Sequence, residues 1–193
     1  MAEKAETKKL LARARGGDMD AFAALFEGFR PLLHRLAYRL VGPNDCEDVV
    51  MDTYLKVWKA LPGFRGRSSL KNWLCRVLRN CALDHLRQRQ RRDARHVITH
   101  DTDDGPAPVL EAMPDETSPG PDRQAELSDL GTILSRAVAQ LSIDHRTALL
   151  LREVDGFSYK EVAAATGVAV GTVMSRLFNA KRRLRQLLKE SEL

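Results

Sequence analysis

Apolar residues recur at helical spacing over two long stretches of the chain, and nothing in it alternates as a strand ladder would. From Phe22 to Val41 the series Phe22, Leu25, Phe26, Phe29, Leu32, Leu33, Leu36, Ala37 and Leu40 makes one broad helical face, with a kink or break expected at Pro31. Asn44 to Glu47 reads as a capping box opening a second helix, in which Val50, Tyr54, Val57, Trp58 and Leu61 share one side and Pro62-Gly63 marks the end. A loop, Phe64 to Ser69, leads to a third helix with the stripe Leu70, Trp73, Leu74, Val77, Leu78 and Cys81. Its other face carries Lys71, Arg76, Arg79, Asn80, Arg87 and Arg91. Three such helices can bury one another's stripes, so residues 20–92 predict a helical domain.

The second stretch begins near Asp129, with Ile133, Leu134, Ala137, Val138 and Leu141 at helical spacing. Ser142 caps the next helix, which carries Ala148, Leu149, Leu151 and Val154 and stops at Asp155-Gly156. The segment SYKEVAAATGVAVGTVMSRLFNAKRRLR then follows the grammar of a helix-turn-helix. Ser158 and Glu161 form a capping box, Gly167 makes the sharp turn, and Val168 plugs the core. A second helix from about Val170 turns Val173, Leu177, Ala180 and Leu184 inward. Thr172, Ser175, Arg176, Asn179, Lys181, Arg182 and Arg183 stay outside, which suits a major groove: polar residues near the helix start reach base edges and basic ones meet phosphates.

Charge separates these blocks. Residues 1–92 hold 19 basic and 10 acidic side chains, residues 93–128 hold 2 and 9, and residues 129–193 hold 10 and 7. The middle block also contains five of the eight prolines and no apolar periodicity, so it reads as an acidic, extended linker. Two basic modules on an acidic tether fit a polyanion as ligand. The expected architecture is all-α: two small helical domains, 1–92 and 129–193, joined by a flexible linker, 93–128.

The composition, with 44% hydrophobic and 30% charged residues, fits a folded core. Cys46, Cys75 and Cys81 form no CxxC pair, so a reducing compartment is expected and no disulfide framework. The N-terminus has no apolar leader and no stretch reaches the length of a membrane span, which predicts a cytoplasmic protein without membrane insertion. No P-loop, nucleophile elbow or Gly-rich phosphate cradle occurs, so no catalytic residue, cofactor or small-molecule substrate is expected. His96 and His100 stand near Asp101, Asp103 and Asp104, but a linker without helix does not gather them, and His34, His85 and His145 are isolated; no metal site is expected.

The string DGFSYKEVAAATGVAVGTVMSRLFNAKRRLRQLL resembles region four of the extracytoplasmic-function sigma factors of bacterial RNA polymerase, and residues 45–92 resemble region two of the same family. The two matches stand in the family's order with a linker between them. The resemblance implies a non-catalytic specificity subunit that binds core RNA polymerase and promoter DNA, directs promoter recognition and melting, and is held in check by an anti-sigma factor. It implies that the helix starting at Asp45 docks on the polymerase through Asp48, Asp52, Thr53 and Lys56, with Met51 where the family commonly has Gln. The minus-ten element falls to the loop residues Phe64, Arg65, Ser68 and Ser69 and to Arg76, Arg79, Asn80 and Arg87, with Trp73 as core beneath the loop. The minus-thirty-five element falls to Thr172, Met174, Ser175, Arg176, Phe178, Asn179, Lys181 and Arg182. The linker is expected to thread the polymerase cleft. With no sensor domain expected after the recognition helix, control comes from outside.

Two other readings use the same features. A helix-turn-helix repressor or activator binding a palindrome as a dimer explains the C-terminal segment but leaves residues 45–92 without a role. A helical interaction module without DNA contact, such as one that sequesters polymerase, explains neither basic face.

Overall fold

The apolar face running from Phe22 is cut in two at Gly28-Phe29. Pro31 has no N–H to donate, so it sits where a helix needs none, in the first turn of the second piece. The computed structural model describes residues 2–96 and 131–191, and among these no strand occurs. In chain order the helices are α1 (Ala2–Arg15), α2 (Met19–Glu27), α3 (Arg30–Val41), α4 (Pro43–Ala60), α5 (Leu70–His96), α6 (131–139), α7 (Ile143–Leu149), α8 (Tyr159–Thr166) and α9 (Val170–Ser191). A 3₁₀ turn, Leu61–Gly63, follows α4, and a π-helical stretch, Leu150–Val154, continues α7.

Local chemistry sets the joints. Asp18 caps α2, its carboxylate accepting from the Ala21 N–H at 2.9 Å and held by Arg13 at 2.8 Å. The α3–α4 hairpin turns on a single residue, Gly42, at φ 92°, a conformation that side chains disfavour. The helix after it starts at Pro43, so Asn44 to Glu47 lie inside α4 and no side chain caps it; the expected capping box is not formed. Proline in the first turn, with its φ already set, takes that role. Ser69 caps α5 through its hydroxyl, which accepts from the Asn72 N–H at 3.2 Å.

The N-terminal core is built around aromatic rings. Phe22 meets Tyr54 and Trp58 at centroid distances of 4.7 and 5.0 Å, and Leu33, Leu36, Leu40, Val49, Val57, Leu61 and Leu78 are fully enclosed beside them. Helix α1, which no apolar pattern announced, packs along α2 through Leu10, Leu11 and the buried Ala14. All three cysteines are free and buried, and burial, with Asp155 nearby, pushes the Cys75 thiol up to about 12, which keeps it in the unreactive form. His34, isolated in sequence, lies against the first turns of α4 with Cys46 and Glu47.

In the C-terminal block Arg146 acts as a peg. Its half-buried guanidinium donates to the carbonyls of Val138 at 3.1 Å, Ala139, Leu141 at 3.1 Å and, across to the other block, Leu40 at 2.7 Å. Carbonyls at helix ends have no intrahelical partner, so one cation closes the ends of α3 and α6 together. Val154, expected on the apolar stripe, is half exposed, because the π stretch rotates the helix before Gly156 ends it at φ 68°.

The two blocks are not apart. Helix α5 packs along α8, α3 touches α7, and one apolar core continues from Leu36 and Leu78 into Ala148, Leu151, Phe157, Val162 and Ala165. The linker expected to be extended, with His100 and the aspartates at 101, 103 and 104, lies outside the described residues; α5 itself reaches His96.

Candidate nucleic-acid interface

The helix-turn-helix is assembled by three local devices. Ser158 and Glu161 form a complete capping box: the Ser158 hydroxyl accepts from the Glu161 N–H at 3.3 Å, and the Glu161 carboxylate accepts from the Ser158 N–H at 2.9 Å. Those bonds hold the Glu161 carboxyl below its usual range. Gly167 then turns the chain in the left-handed region at φ 74°, its N–H donating to the Ala163 carbonyl at 2.8 Å. Third, α9 buries Val173, Leu177, Ala180 and Leu187, which fixes its rotation.

That rotation leaves Thr172, Met174, Ser175, Phe178, Lys181 and Arg182 exposed, while Arg176 and Asn179 are half-buried. Phe178 is 66% and Met174 53% exposed, an apolar pair on an otherwise polar face. The Arg182 guanidinium lies 5.9 Å from the Phe178 ring centre, and Lys181 pairs with Glu153 at 2.8 Å.

The loop before α5 encloses a surface cavity of about 310 Å³ lined by Gly63, Phe64, Arg65, Arg67, Ser68, Trp73 and Arg76. Two expectations change here. Phe64 is not a free ring: it is buried and packs on Trp73 at 4.9 Å between centroids, so the two aromatics form one wall. Trp73 therefore borders the cavity as well as the core. Asn80 is exposed and accepts from Arg79 at 3.3 Å, but it does not line this cavity. It lies seven residues beyond Trp73 on α5, about 10 Å at a helix's rise. Arg67 belongs to the cavity and was missed; its place in the same loop between Arg65 and Ser68 was the available signal. Ser69 is engaged in capping α5, and Arg87 is exposed beside Asp84 at 3.9 Å.

On α4, Asp48, Met51, Asp52 and Leu55 are exposed at i, i+3, i+4 and i+7 and so share one face, two carboxylates beside two apolar side chains. Lys56 is exposed and bonded to Asp84 at 3.2 Å. Thr53 does not join them. It is fully buried, with its hydroxyl donating to the Val49 carbonyl at 2.7 Å, so it offers nothing to a docking partner on this surface.

Two of the basic residues expected on DNA share one carboxylate of α7 instead, Arg79 from across the seam and Arg176 from within its own block. The Asp144 carboxylate accepts from Arg79 of α5 through one oxygen and from Arg176 of α9 at 2.7 Å through the other. Burial works to raise the Asp144 carboxyl, but the Arg79 hydrogen bond and the charges of Arg79 and Arg176 outweigh it and hold it below the ordinary value. Arg76 lies against Gly167, so close that a Cβ there would stand 2.8 Å from its guanidinium. Lys71 sits 4.1 Å over the buried Phe157 ring. Asp155 faces Arg35 at 3.9 Å, and burial raises its carboxyl despite Arg35, Arg39 and Lys71. The seam thus occupies Arg76 and Arg79, while Asp144 holds Arg176 from within its own block.

The chain resembles known proteins along most of its length. Residues 25–92 match the Sigma-70 region 2 family and residues 132–184 match Sigma-70, region 4. The ECF RNA polymerase sigma-E factor of Haemophilus influenzae is 31% identical over 182 residues, 94% of each chain. The sigma-E factor of Escherichia coli K12 is 34% identical over 187 residues, covering 94% of this chain and 93% of that protein. Among solved structures, the sigma factor RpoE bound to the anti-sigma factor NepR from Bartonella quintana superposes with a TM-score of 0.63 at 30% identity, over 87% of this chain and 96% of that one. CnrH, solved with the cytosolic domain of CnrY, shares the fold at a TM-score of 0.63 and 24% identity, over 96% and 98%. No helix among the described residues is long and apolar enough to cross a membrane. A region-two helical block, a region-four helix-turn-helix and relatives matched over nearly their whole length leave one conclusion: the chain belongs to the ECF sigma factors of bacterial RNA polymerase.

Proposed function

We propose that the protein is a non-catalytic cytoplasmic subunit that holds core RNA polymerase through the exposed α4 face of Asp48, Met51, Asp52 and Leu55, with Lys56 at its edge. The cavity beside Phe64 and Trp73 receives a base extruded from the minus-ten element, with Arg65, Arg67, Ser68 and Arg76 at its rim. Unstacking a base costs a few kcal/mol, and an aromatic wall with polar groups around it can offset that cost. Asn80, Arg79 and Arg87 follow the backbone along α5. The outer face of α9, with Thr172, Met174, Ser175, Phe178, Asn179, Lys181 and Arg182, reads the minus-thirty-five element. One observation carries this reading: α9, the second helix of a helix-turn-helix, buries its apolar stripe and exposes Thr172, Met174, Ser175, Phe178, Lys181 and Arg182 from its first turn onward.

The packed seam is the restrained state. Arg76 and Arg79 cannot hold the seam and DNA together, so promoter binding requires the blocks to separate. An anti-sigma factor, as NepR is for the RpoE of Bartonella quintana, would favour the closed form, and core polymerase the open one. Multi-round transcription with purified core polymerase on a library of random promoters tests the function. Specific initiation dependent on this protein is the expected result; no start above that of core alone would overturn it.

A further inference from the structure

The geometry points to a Zn²⁺-type metal site formed by His34 of α3 with Cys46 and Glu47 of α4, separate from every surface assigned above. His34 Nε2 lies 3.0 Å from Glu47 Oε1 and 3.7 Å from Cys46 Sγ, and the three ligand atoms fall within 4.8 Å of one another. With Zn–S near 2.3 Å and Zn–N and Zn–O near 2.0 to 2.2 Å, ligand atoms around a tetrahedral ion stand about 3.5 Å apart. Small side-chain rotations therefore bring all three into the first coordination sphere. A thiolate, an imidazole and a carboxylate are the set a borderline-soft divalent ion takes, and a hard ion such as Mg²⁺ or Ca²⁺ does not.

The surroundings fit that use. Neighbouring residues on a helix diverge by about 100°, so Cys46 and Glu47 converge only because α3 places His34 between them. Cys46 is buried and Glu47 is 62% exposed by side chain, which gives the ion an inner ligand and an outer one with a fourth position open to water. Glu47 uses Oε1 toward His34, while its Oε2 faces Arg30 at 3.9 Å, a cation that orients the carboxylate and weakens its pull on a metal. A surface cavity of about 370 Å³, lined by Glu27, Arg30, Pro31, His34, Arg35 and Glu47, gives entry. Cys46 Sγ now donates to the Pro43 carbonyl at 3.2 Å; coordination replaces that S–H bond with a metal–sulfur bond and sends one proton to solvent. The bound ion would staple α3 to α4 across the Gly42 turn.

The test is titration of untagged, reduced, metal-free full-length protein with Co²⁺ and then competition by Zn²⁺. One equivalent should give a sulfur-to-cobalt charge-transfer band and tetrahedral visible bands, displaced by Zn²⁺, with one proton released. Cys46→Ser should abolish the charge-transfer band, and Glu47→Gln, which removes a direct ligand, should weaken affinity by at least the roughly 10- to 100-fold that loss of a merely supporting group costs. Glu47 is exposed, so its variant folds and removes misfolding as an explanation. Glu27→Gln, at the cavity rim, should bind as wild type does. Absence of a charge-transfer band at one equivalent, or wild-type affinity in either Cys46→Ser or Glu47→Gln, overturns the site.

Discussion

Replacing Asp144 by Ala should open the seam between the two blocks. The carboxylate is the acceptor Arg79 shares with Arg176, and the side-chain exposures are 12% for Arg79, 20% for Arg176 and 35% for Asp144. A hydrogen bond between charged groups contributes about 1.5 to 3 kcal/mol when screened from water, and far less when exposed. Only the Arg79 bond crosses the seam, and Asp144 is about one-third exposed, so the lower end applies. Removing the carboxylate also leaves two guanidiniums facing each other without a counter-charge. A shift of about 2 kcal/mol in favour of the open form follows, roughly 30-fold in the closed-to-open ratio. The apolar part of the seam around Phe157 and Val162 is untouched, so both blocks should stay folded. Small-angle X-ray scattering should show a larger radius of gyration for the variant. Fluorescence anisotropy with a minus-thirty-five duplex should show tighter binding, because Arg176 is released. Unchanged scattering together with DNA affinity within about 2-fold of wild type would refute the reasoning.

Acid acts through the same carboxylate, whose folded pKa is depressed: its contribution is complete above the ordinary aspartate value of 3.8 and is lost as pH falls through the lower folded value. The compaction difference between wild type and Asp144→Asn should therefore be full at neutral pH and vanish on acidification below that value, as read by scattering. Arg146→Met should lower stability by about 3 kcal/mol in a chemical melt, since it strips a half-buried donor from four carbonyls, and Lys at this position, with one point charge, should restore little. Gly167→Ala should cost about 1 to 2 kcal/mol, because φ 74° strains any side chain, and should also push Arg76 off the turn; hydrogen exchange along α8 reads both. Thr53→Val should leave affinity for core polymerase within 2-fold, whereas Asp52→Ala should weaken it, in a binding titration with purified core enzyme.

Helix type, the helix-turn-helix and its orientation were legible in the sequence because each is encoded within a few residues. Ser158 and Glu161 satisfy each other's backbone groups, Gly167 alone tolerates its turn, and Val173, Leu177, Ala180 and Leu184 mark one side of α9. Where two local signals competed, the sequence was ambiguous. Asn44 to Glu47 has the spacing of a capping box, but the preceding Gly42-Pro43 starts the helix earlier. The family resemblance puts Thr53 on the docking face, although its spacing of four from Val49 and Val57 places it on their buried stripe. A hydroxyl can be buried there because the Val49 carbonyl takes its proton.

The amino-acid order by itself determined two helical basic modules, their order and the family that reads promoters with them. Only the tertiary structure decided what those modules do to each other. Arg79 and Asp144 are 65 residues apart, Leu40 and Arg146 are 106 apart, and no periodicity within one helix specifies which distant helix will cover it. The same holds for His34, which gains Cys46 and Glu47 as neighbours only when the Gly42 turn folds α4 back on α3. Periodicity records which side of a helix avoids water; shape and charge complementarity between finished helices select the partner that side meets.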